Sequence, residues 1–136
     1  MPRSFQLEIV TPTRVLDLGP VNYLRAPSMD GLFGIMARHT RAMISLEVGE
    51  IKVVKEGKPQ YYATNGGYAD IHGNSVQLLV ETAEEAKEID VDRAKSAAER
   101  ARERLAVSMR KDIDEARAEI ALKRAVSRLG IAGRRG

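Results

Sequence analysis

The chain has 136 residues, enough for one ordinary hydrophobic core and an appendage, because a second full core would be marginal at this length. It has no Cys and only two His, which excludes disulfides and thiolate metal sites and argues against a histidine metal site. The net charge of +3 comes from interleaved basic and acidic residues, and aromatic residues are scarce, so composition argues against a nucleic-acid partner.

The first strand is predicted by an alternation of apolar Phe5, Leu7 and Ile9 with polar neighbours, which stops at Thr11-Pro12. Ile51 and Val53 repeat this period of two. The alternation is typical of strands that bury one face, so the beginning of the chain is predicted to be β-rich.

Turn signals then separate further short strands. Residues 61–64 lead into Asn65-Gly66-Gly67, residue types that accept positive φ in tight turns, and residues 68–71 follow. His72-Gly73-Asn74 is a second turn before the apolar run 75–80. Short strands at this spacing, without a helical pattern between them, predict an antiparallel β-sandwich or flattened barrel.

The chain changes character near residue 88, since residues 82–129 contain neither Gly nor Pro. We therefore predict a β-sandwich domain over residues 1–88 and an α-helical hairpin over residues 89–136. In the first helix, apolar residues recur at intervals of three and four at Val91, Ala94, Ala98, Ala101 and Leu105.

The second helix is predicted from the same periodicity at Ile113, Ala116, Ile120 and Leu129. Asp90 is placed to cap the first helix, Asp112 with Glu115 to cap the second, and Gly130 to end it. A short linker near residues 107–110 favours an antiparallel hairpin. Because Ala buries little apolar area, this hairpin is expected to dock weakly and to be able to separate.

No catalytic site or metal site is predicted. The sequence lacks the two common glycine-rich phosphate loops and the Gly-x-Ser-x-Gly nucleophile elbow, and it offers no cysteine nucleophile. The paired carboxylates Glu84-Glu85 are more typical of a solvated stretch than of an acid/base pair. The length and hydropathy of the chain also predict no membrane span and no signal peptide, and we expect a cytoplasmic compartment.

Two arginine pairs stand out. Arg93 and Arg100 are seven residues apart on the first helix, and Arg124 and Arg128 are four apart on the second, so each pair shares a helix face. Solvated side chains offset by nearby carboxylates are the commoner interpretation. An anion between the folded helices is the alternative, because guanidinium groups match phosphate oxygens in geometry.

The whole pattern resembles the epsilon subunits of bacterial F-type ATP synthases. The similarity includes residues 5–12 as a first strand, Gly31-Leu32-Phe33-Gly34-Ile35 followed by His39 as a loop, and Gly66-Gly67-Tyr68 as the turn of a later hairpin. It also includes Ile89-Asp90-Val91-Asp92-Arg93-Ala94, which is similar to a motif associated with ATP binding.

The resemblance implies a non-catalytic subunit of the central stalk, or rotor. It implies partners in the gamma subunit, the membrane c-ring and, through extended C-terminal helices, the catalytic beta and alpha subunits. The β domain would couple rotor parts, while the helices would oppose ATP hydrolysis when extended and release it when folded. No cofactor is required, but ATP, with magnesium alongside, would favour the folded hairpin. The implied location is peripheral, on the cytoplasmic face of the bacterial cell membrane.

The resemblance also assigns residues. The implied nucleotide-binding positions are Glu84, Ile89, Asp90, Arg93, Ala94, Arg100, Arg124 and Arg128. The implied partner-binding positions are Leu32, Arg38, His39 and Arg41. The chain departs from the family pattern here, because it has basic residues beside His39 where a Pro-Gly-His-x-Pro-Leu segment is common and Leu32 at a position that is often acidic.

Two other classes remain as alternatives. A free-standing ATP sensor would bind nucleotide without a stable protein partner. A small nucleic-acid binder would show an affinity that falls steeply with salt.

Overall fold

The structure, a computed structural model, describes residues 3–37, 40–111 and 115–134. Within these ranges the chain forms ten strands, one short 3₁₀ helix and two long helices. The strands are β1 (Phe5–Val10), β2 (Val15–Val21), β3 (Tyr23–Ser28), β4 (Gly31–Ile35), β5 (Ala42–Leu46), β6 (Gly49–Lys55), β7 (Lys58–Thr64), β8 (Gly67–His72), β9 (Ser75–Val80) and β10 (Ala83–Glu85). The 3₁₀ helix is Ala86–Glu88, and the long helices are α1 (Val91–Lys111) and α2 (Glu115–Ala132).

The strands form a sandwich whose two halves are joined at one edge. One half has the order β10, β7, β6, β3, with β4 paired to β3, and the other has the order β5, β8, β9, β1, β2. The halves meet through a single β3–β5 pairing, Ser28 with Leu46. Alternation along the strands supplies the core, as in β1, where Phe5, Leu7 and Ile9 are buried. The β-sandwich prediction is therefore confirmed.

The prediction of an antiparallel arrangement is wrong for one pair. β1 runs parallel to β9, with Gln6 opposite Ser75 and Val10 opposite Leu79. Every other described pair is antiparallel. A parallel pair needs a long connection, and here the chain between β1 and β9 supplies seven other strands.

The predicted hairpin at Gly66-Gly67 is also wrong, although both glycines adopt positive φ, 108° and 151°. β7 pairs with β6 and β10, whereas β8 pairs with β5 and β9, so the segment carries the chain between the two halves of the sandwich. The carbonyl oxygen of Gly66 accepts a hydrogen bond from Glu81 N at 3.0 Å, which fixes the crossing. The second predicted turn is a true hairpin, since His72 pairs with Ser75 across Gly73-Asn74.

The segment around Leu32 was expected to be a loop and is strand β4. Leu32 pairs with Pro27 of β3, close to the tip of the β3–β4 hairpin. Gly31, the first residue of this strand, has a φ of 109°. The tight turn between β3 and β4 requires this angle, and a residue with a Cβ rarely adopts it.

The helices form the predicted hairpin, but three details differ. α1 continues through residues 107–110, where a linker was expected, to Lys111. α2 continues through Gly130 to Ala132, because Ile131 and Ala132 are buried and their burial offsets the low helix propensity of glycine. Ile120 is exposed rather than part of the seam, and the predicted cap Asp112 and the seam residue Ile113 lie outside the described residues.

By internal packing the chain divides into two compact units, residues 1–85 and 86–136. The first holds the strands and one continuous core. The second holds the 3₁₀ helix and the two long helices, which pack on each other.

Candidate functional site

The start of α1 is built around Asp90. Its side-chain Oδ1 accepts a hydrogen bond from Arg93 N at 3.0 Å, and its carbonyl oxygen accepts one from Ala94 N at 3.0 Å. This is the geometry of a helix N-cap, which satisfies backbone donors that have no partner inside the helix. The predicted cap is confirmed. Because Asp90 is exposed and one of its oxygens serves as the cap, the other can meet a ligand or solvent.

Arg93 occupies the third position of the helix, where its charge is unfavourable. The helix dipole places partial positive charge at this end, so a carboxylate is favoured in the first turn and a guanidinium is opposed. The Arg93 side chain is nevertheless exposed, and its neighbours Ile89 and Ala94 are 1% and 0% exposed. A cation held at this position between two buried residues is available to an external anion.

The seam between α1 and α2 is made chiefly of alanine. Its fully buried members are Ala94, Ala98 and Ala101 on α1 and Ala118 and Ala125 on α2. Leu105 and Leu129 are half-buried and extend the same stripes. Small side chains let helix axes approach closely but remove little apolar area from water.

The four predicted arginines share one face of this hairpin. Each directly precedes a seam residue, as in Arg93-Ala94, Arg100-Ala101, Arg124-Ala125 and Arg128-Leu129. Each therefore lies about 100° from the seam in the same rotational sense. Two antiparallel helices are related by a twofold rotation about an axis perpendicular to the plane that contains both. This rotation leaves residues that have the same angular offset from the seam on the same side of that plane. The structure thus places the Cβ atoms of these four arginines on one side of the hairpin. Arg93 and Arg100 are exposed there, whereas Arg124 and Arg128 are half-buried.

The same repeat includes Arg104-Leu105 and Arg117-Ala118, which sequence reasoning missed. Both arginines are exposed. The repeated pattern of an arginine followed by a seam residue is the signal that would have found them. We call these six residues the arginine face: Arg93, Arg100, Arg104, Arg117, Arg124 and Arg128.

Glu84 lies elsewhere in the chain. It is on β10, opposite Ala63 of β7, and its side chain is half-buried. It belongs to the first compact unit, whereas the other predicted nucleotide-binding residues belong to the second. Its contribution to nucleotide binding stays a prediction.

The predicted partner-binding residues have different outcomes. Leu32 is 64% exposed near the tip of the β3–β4 hairpin, and Arg41 is exposed just before β5, while Arg38 and His39 lie outside the described residues. Sequence reasoning missed Met29 and Met36, which are 77% and 66% exposed at the two ends of the same hairpin region. Met29 and Leu32 lie near the tip, whereas Met36 follows the other end of β4. Large apolar side chains exposed close together, as Met29 and Leu32 are, are typical of a contact surface.

Residues 3–37, 40–111 and 115–134 offer little that suits catalytic or metal chemistry. No group of three or more His, Asp or Glu side chains there is placed to hold a metal ion. His72 is paired with Asp70 at 2.8 Å at the end of β8. Neither described helix is apolar enough over its length to cross a bilayer.

The described residues form a β-sandwich with an exposed apolar tip, followed by a helical hairpin with an alanine seam, an arrangement typical of a protein that binds partners. Comparison with known families gives the particular class. Residues 4–86 match the family model of the ATP synthase Delta/Epsilon chain beta-sandwich domain, and residues 87–133 match that of its long alpha-helix domain. The chain belongs to the ATP synthase delta/epsilon chain family.

Curated relatives agree. The chain is 43% identical over 106 residues to the ATP synthase epsilon chain of Carboxydothermus hydrogenoformans, covering 78% of this chain and 79% of the relative. It is 39% identical over 106 residues to that of Nitratidesulfovibrio vulgaris, with the same coverage. The predicted family and the prediction of a non-catalytic stalk subunit are therefore confirmed.

Solved structures extend the similarity to mitochondrial enzymes. A chain in the cryo-EM structure of the Euglena gracilis mitochondrial ATP synthase OSCP/F1/c-ring assembly matches with a TM-score of 0.76 and 26% identity, covering 90% of this chain and 78% of that one. A chain of the Tetrahymena thermophila mitochondrial ATP synthase central stalk and c-ring matches with a TM-score of 0.55 and 15% identity, covering 62% and 68%. The second match supports the fold alone.

Proposed function

We propose that this chain is a rotor subunit of an F-type proton-translocating ATP synthase, and that ATP controls its C-terminal helices. Its sandwich connects the gamma subunit to the membrane c-ring on the cytoplasmic face of the membrane. Its helices oppose ATP hydrolysis when they extend toward the catalytic beta and alpha subunits. ATP favours the folded hairpin and thereby relieves the inhibition.

The observation that carries the regulatory part is the placement of Arg93. A cation in the first turn of α1 is locally unfavourable, yet it lies on the same side of the hairpin as Arg100, Arg124 and Arg128. Polyphosphate oxygens fit such a set, because guanidinium groups bind them through charge-assisted hydrogen bonds. An anion that contacts both helices is bound only when they are folded together, so it shifts the population toward the hairpin.

Magnesium fits this arrangement as a companion of the nucleotide. It usually keeps several waters and binds through substrate phosphates, so it needs no cage of protein carboxylates. In this proposal Asp90 and Glu84 supply carboxylate oxygens near the nucleotide, while the arginines hold the phosphates.

The sandwich supports the coupling part of the proposal through Met29 and Leu32, which are exposed near the tip of the β3–β4 hairpin. Apolar side chains at the tip of a β-hairpin can pack on a partner without rearrangement of the core. The basic residues Arg38 and Arg41 are proposed to meet acidic groups on a partner, and His39 is proposed to contact a partner. Charge reversal at Arg41 that leaves assembly intact would contradict this assignment.

Hydrolysis by the assembled enzyme tests the inhibitory role. Truncation after Glu88 removes α1 and α2 and should raise ATP hydrolysis, whereas unchanged hydrolysis with normal assembly would contradict the proposal. A stable complex with gamma in the absence of ATP separates a rotor subunit from a free-standing ATP sensor.

Calorimetry of the full chain tests ATP binding, and the N-cap geometry dictates the controls. Asp90→Ala removes both the carboxylate and the cap, which costs about 1 kcal/mol of helix stability by itself. Asp90→Asn keeps a good cap and removes only the charge, so a loss of ATP affinity in both variants assigns the effect to the carboxylate. Arg93→Ala should also weaken binding, and wild-type affinity in all three variants would exclude this site.

A further inference from the structure

The two halves of the sandwich differ in charge. The strands of one half, β5, β8, β9, β1 and β2, contain no lysine or arginine, although the chain has 22 of these residues. Every lysine and arginine that lies on a strand belongs to the other half, at Arg25, Lys52, Lys55 and Lys58. The first half carries the carboxylates Glu8, Asp17 and Asp70, and we call it the acidic half.

An apolar row crosses the outer face of the acidic half. Strand pairing places Leu79 between Tyr68 of β8 and Val10 of β1, and Val10 lies opposite Val15 of β2. Directly opposed residues share a face of the sheet. Tyr68, Leu79 and Val15 are 54%, 38% and 59% exposed, so this face is the outer one. With strands about 4.8 Å apart, the row is about 14 Å long. An exposed apolar row of this length is typical of a contact surface.

An acidic row lies beside the apolar row, two residues along each strand. Gln77 lies between Asp70 and Glu8, and Glu8 lies opposite Asp17. Each carboxylate is held in place by the chain itself. Glu8 Oε1 accepts a hydrogen bond from Gln77 Nε2 at 2.8 Å, Asp17 Oδ1 accepts one from a backbone N–H at 2.9 Å, and Asp70 pairs with His72 at 2.8 Å. A carboxylate has about four acceptor sites, so each can also receive donors from a partner.

The acidic row borders a recess of about 390 Å³ in the outer face. Glu8, Asp17 and Asp70 all line it. These carboxylates are spread along the row and do not converge on a point where a metal ion could be held. Their spacing suits separate lysine or arginine side chains, which form charge-assisted hydrogen bonds with carboxylates.

The charge of this face decides between possible occupants. A nucleic acid or an anionic membrane would bring phosphates against three carboxylates. A twofold dimer through the same face would bring carboxylates of one copy against those of the other, and like charges across an interface are costly. A protein surface that combines apolar and basic side chains complements both rows.

We propose that the outer face of the acidic half docks a protein surface on which a line of apolar side chains is bordered by lysines and arginines. This inference rests on the proposed rotor function, which supplies the occupant, the gamma subunit. The apolar row keeps the complex together, because its burial excludes water from the contact. The acidic row steers the approach of the basic partner and sets its orientation.

The rates of association and dissociation between the full chain and purified gamma test the two rows separately. Val15→Ser/Leu79→Ser removes apolar side chains at exposed positions and should raise the dissociation rate by about tenfold. The matched control Ile120→Ser/Val126→Ser changes two apolar side chains of α2 that are 49% and 45% exposed. It should leave both rates within about twofold of the wild type.

Neutralisation of the acidic row tests the steering. Glu8→Gln/Asp17→Asn/Asp70→Asn preserves the size of each side chain and an oxygen that can accept the internal hydrogen bond. The association rate should fall by about tenfold at low salt and by much less at high salt, because salt screens the charges that steer the encounter. Circular dichroism and tyrosine fluorescence should match those of the wild type.

The control for charge is Glu99→Gln/Glu103→Gln/Glu119→Gln, which removes three carboxylates from exposed helix positions and should associate at the wild-type rate. Equal effects in the control, faster association after neutralisation of the acidic row, or a dimer of this chain that the same substitutions dissociate would overturn the inference. A gamma complex whose rates are insensitive to changes in both rows contradicts this inference alone. Absence of any complex between gamma and the wild type contradicts the proposed function.

Discussion

The sandwich core and the helical seam are built from different side chains. The sandwich buries Phe5, Leu7, Ile9, Ile51 and Leu78 to within 2% exposure, together with other large apolar residues. The hairpin buries five alanines along the seam. Among the described residues of the second unit, the large apolar side chains that are buried are Ile89, just before α1, and Ile131, near the end of α2. A buried Leu or Ile contributes about 1.5–3 kcal/mol and an Ala far less, so the sandwich is suited to a fixed structural role and the hairpin to opening.

The positions of the tyrosines allow the two regions to be observed separately. All four tyrosines, at 23, 61, 62 and 68, are on strands, and most of the helix signal comes from α1 and α2. Tyrosine fluorescence therefore follows the sandwich, and circular dichroism at a helix wavelength follows the hairpin. If the fluorescence and circular dichroism transitions coincide under all conditions, the sandwich and the hairpin do not unfold separately, and the difference in stability inferred for them is wrong.

The largest effect is expected in the sandwich core. Leu78→Ala leaves a cavity at a fully buried position and should lower the free energy of unfolding by about 3 kcal/mol, measured by urea unfolding with tyrosine fluorescence. The adjacent Leu79, 38% exposed on the other face of β9, is the matched control. Leu79→Ala should cost less than about 1 kcal/mol, and equal losses at both sites would contradict the assigned core.

The next effect tests the crossing between the halves of the sandwich. A Cβ at Gly67 would meet the carbonyl oxygen of Leu79 and, at 2.7 Å, the Cα of Val80, and φ there is 151°. Gly67→Ala should cost about 2–3 kcal/mol of unfolding free energy. Gly73 has a φ of 59°, and a Cβ there would meet no atom within 4 Å, so Gly73→Ala isolates the backbone strain and should cost about 1 kcal/mol.

In the hairpin, Gly130 gives a smaller effect of opposite sign. It lies inside α2 without a positive φ, and a Cβ there would meet nothing within 4 Å. Gly130→Ala should therefore stabilise the helices by about 1 kcal/mol, measured by amide hydrogen exchange across α1 and α2. A destabilisation would show that Gly130 ends the helix, as its sequence position suggests.

The smallest effect distinguishes a ligand-binding role of Arg93 from a structural one. Arg93→Ala removes a cation from the positive end of the helix dipole and should stabilise the ligand-free hairpin by about 0.5 kcal/mol, measured by hydrogen exchange. The same variant should bind ATP more weakly. A variant that is both less stable and weaker in binding would indicate that Arg93 supports the fold instead.

Much of the fold could be predicted from local patterns. The alternation of Phe5, Leu7 and Ile9 predicted β1, and the cap at Asp90 was placed correctly because it depends on a residue type and the next three residues. The seam residues of α2 were predicted poorly. The apolar periodicity predicted that large residues such as Ile120 line the seam. The buried positions are instead alanines, which give a weak hydropathy signal.

The sequence by itself determined the two kinds of secondary structure, the change between them near residue 88, and the presence of arginines at helical spacing, because these depend on residues close together in the chain. Only the tertiary structure decided that Gly66-Gly67 crosses between sheet halves, that β1 and β9 run parallel, and that α2 passes through Gly130. Strand pairing and the burial of Ile131 depend on residues far apart in the chain. The antiparallel packing of α1 and α2 likewise places six separate arginines on one face.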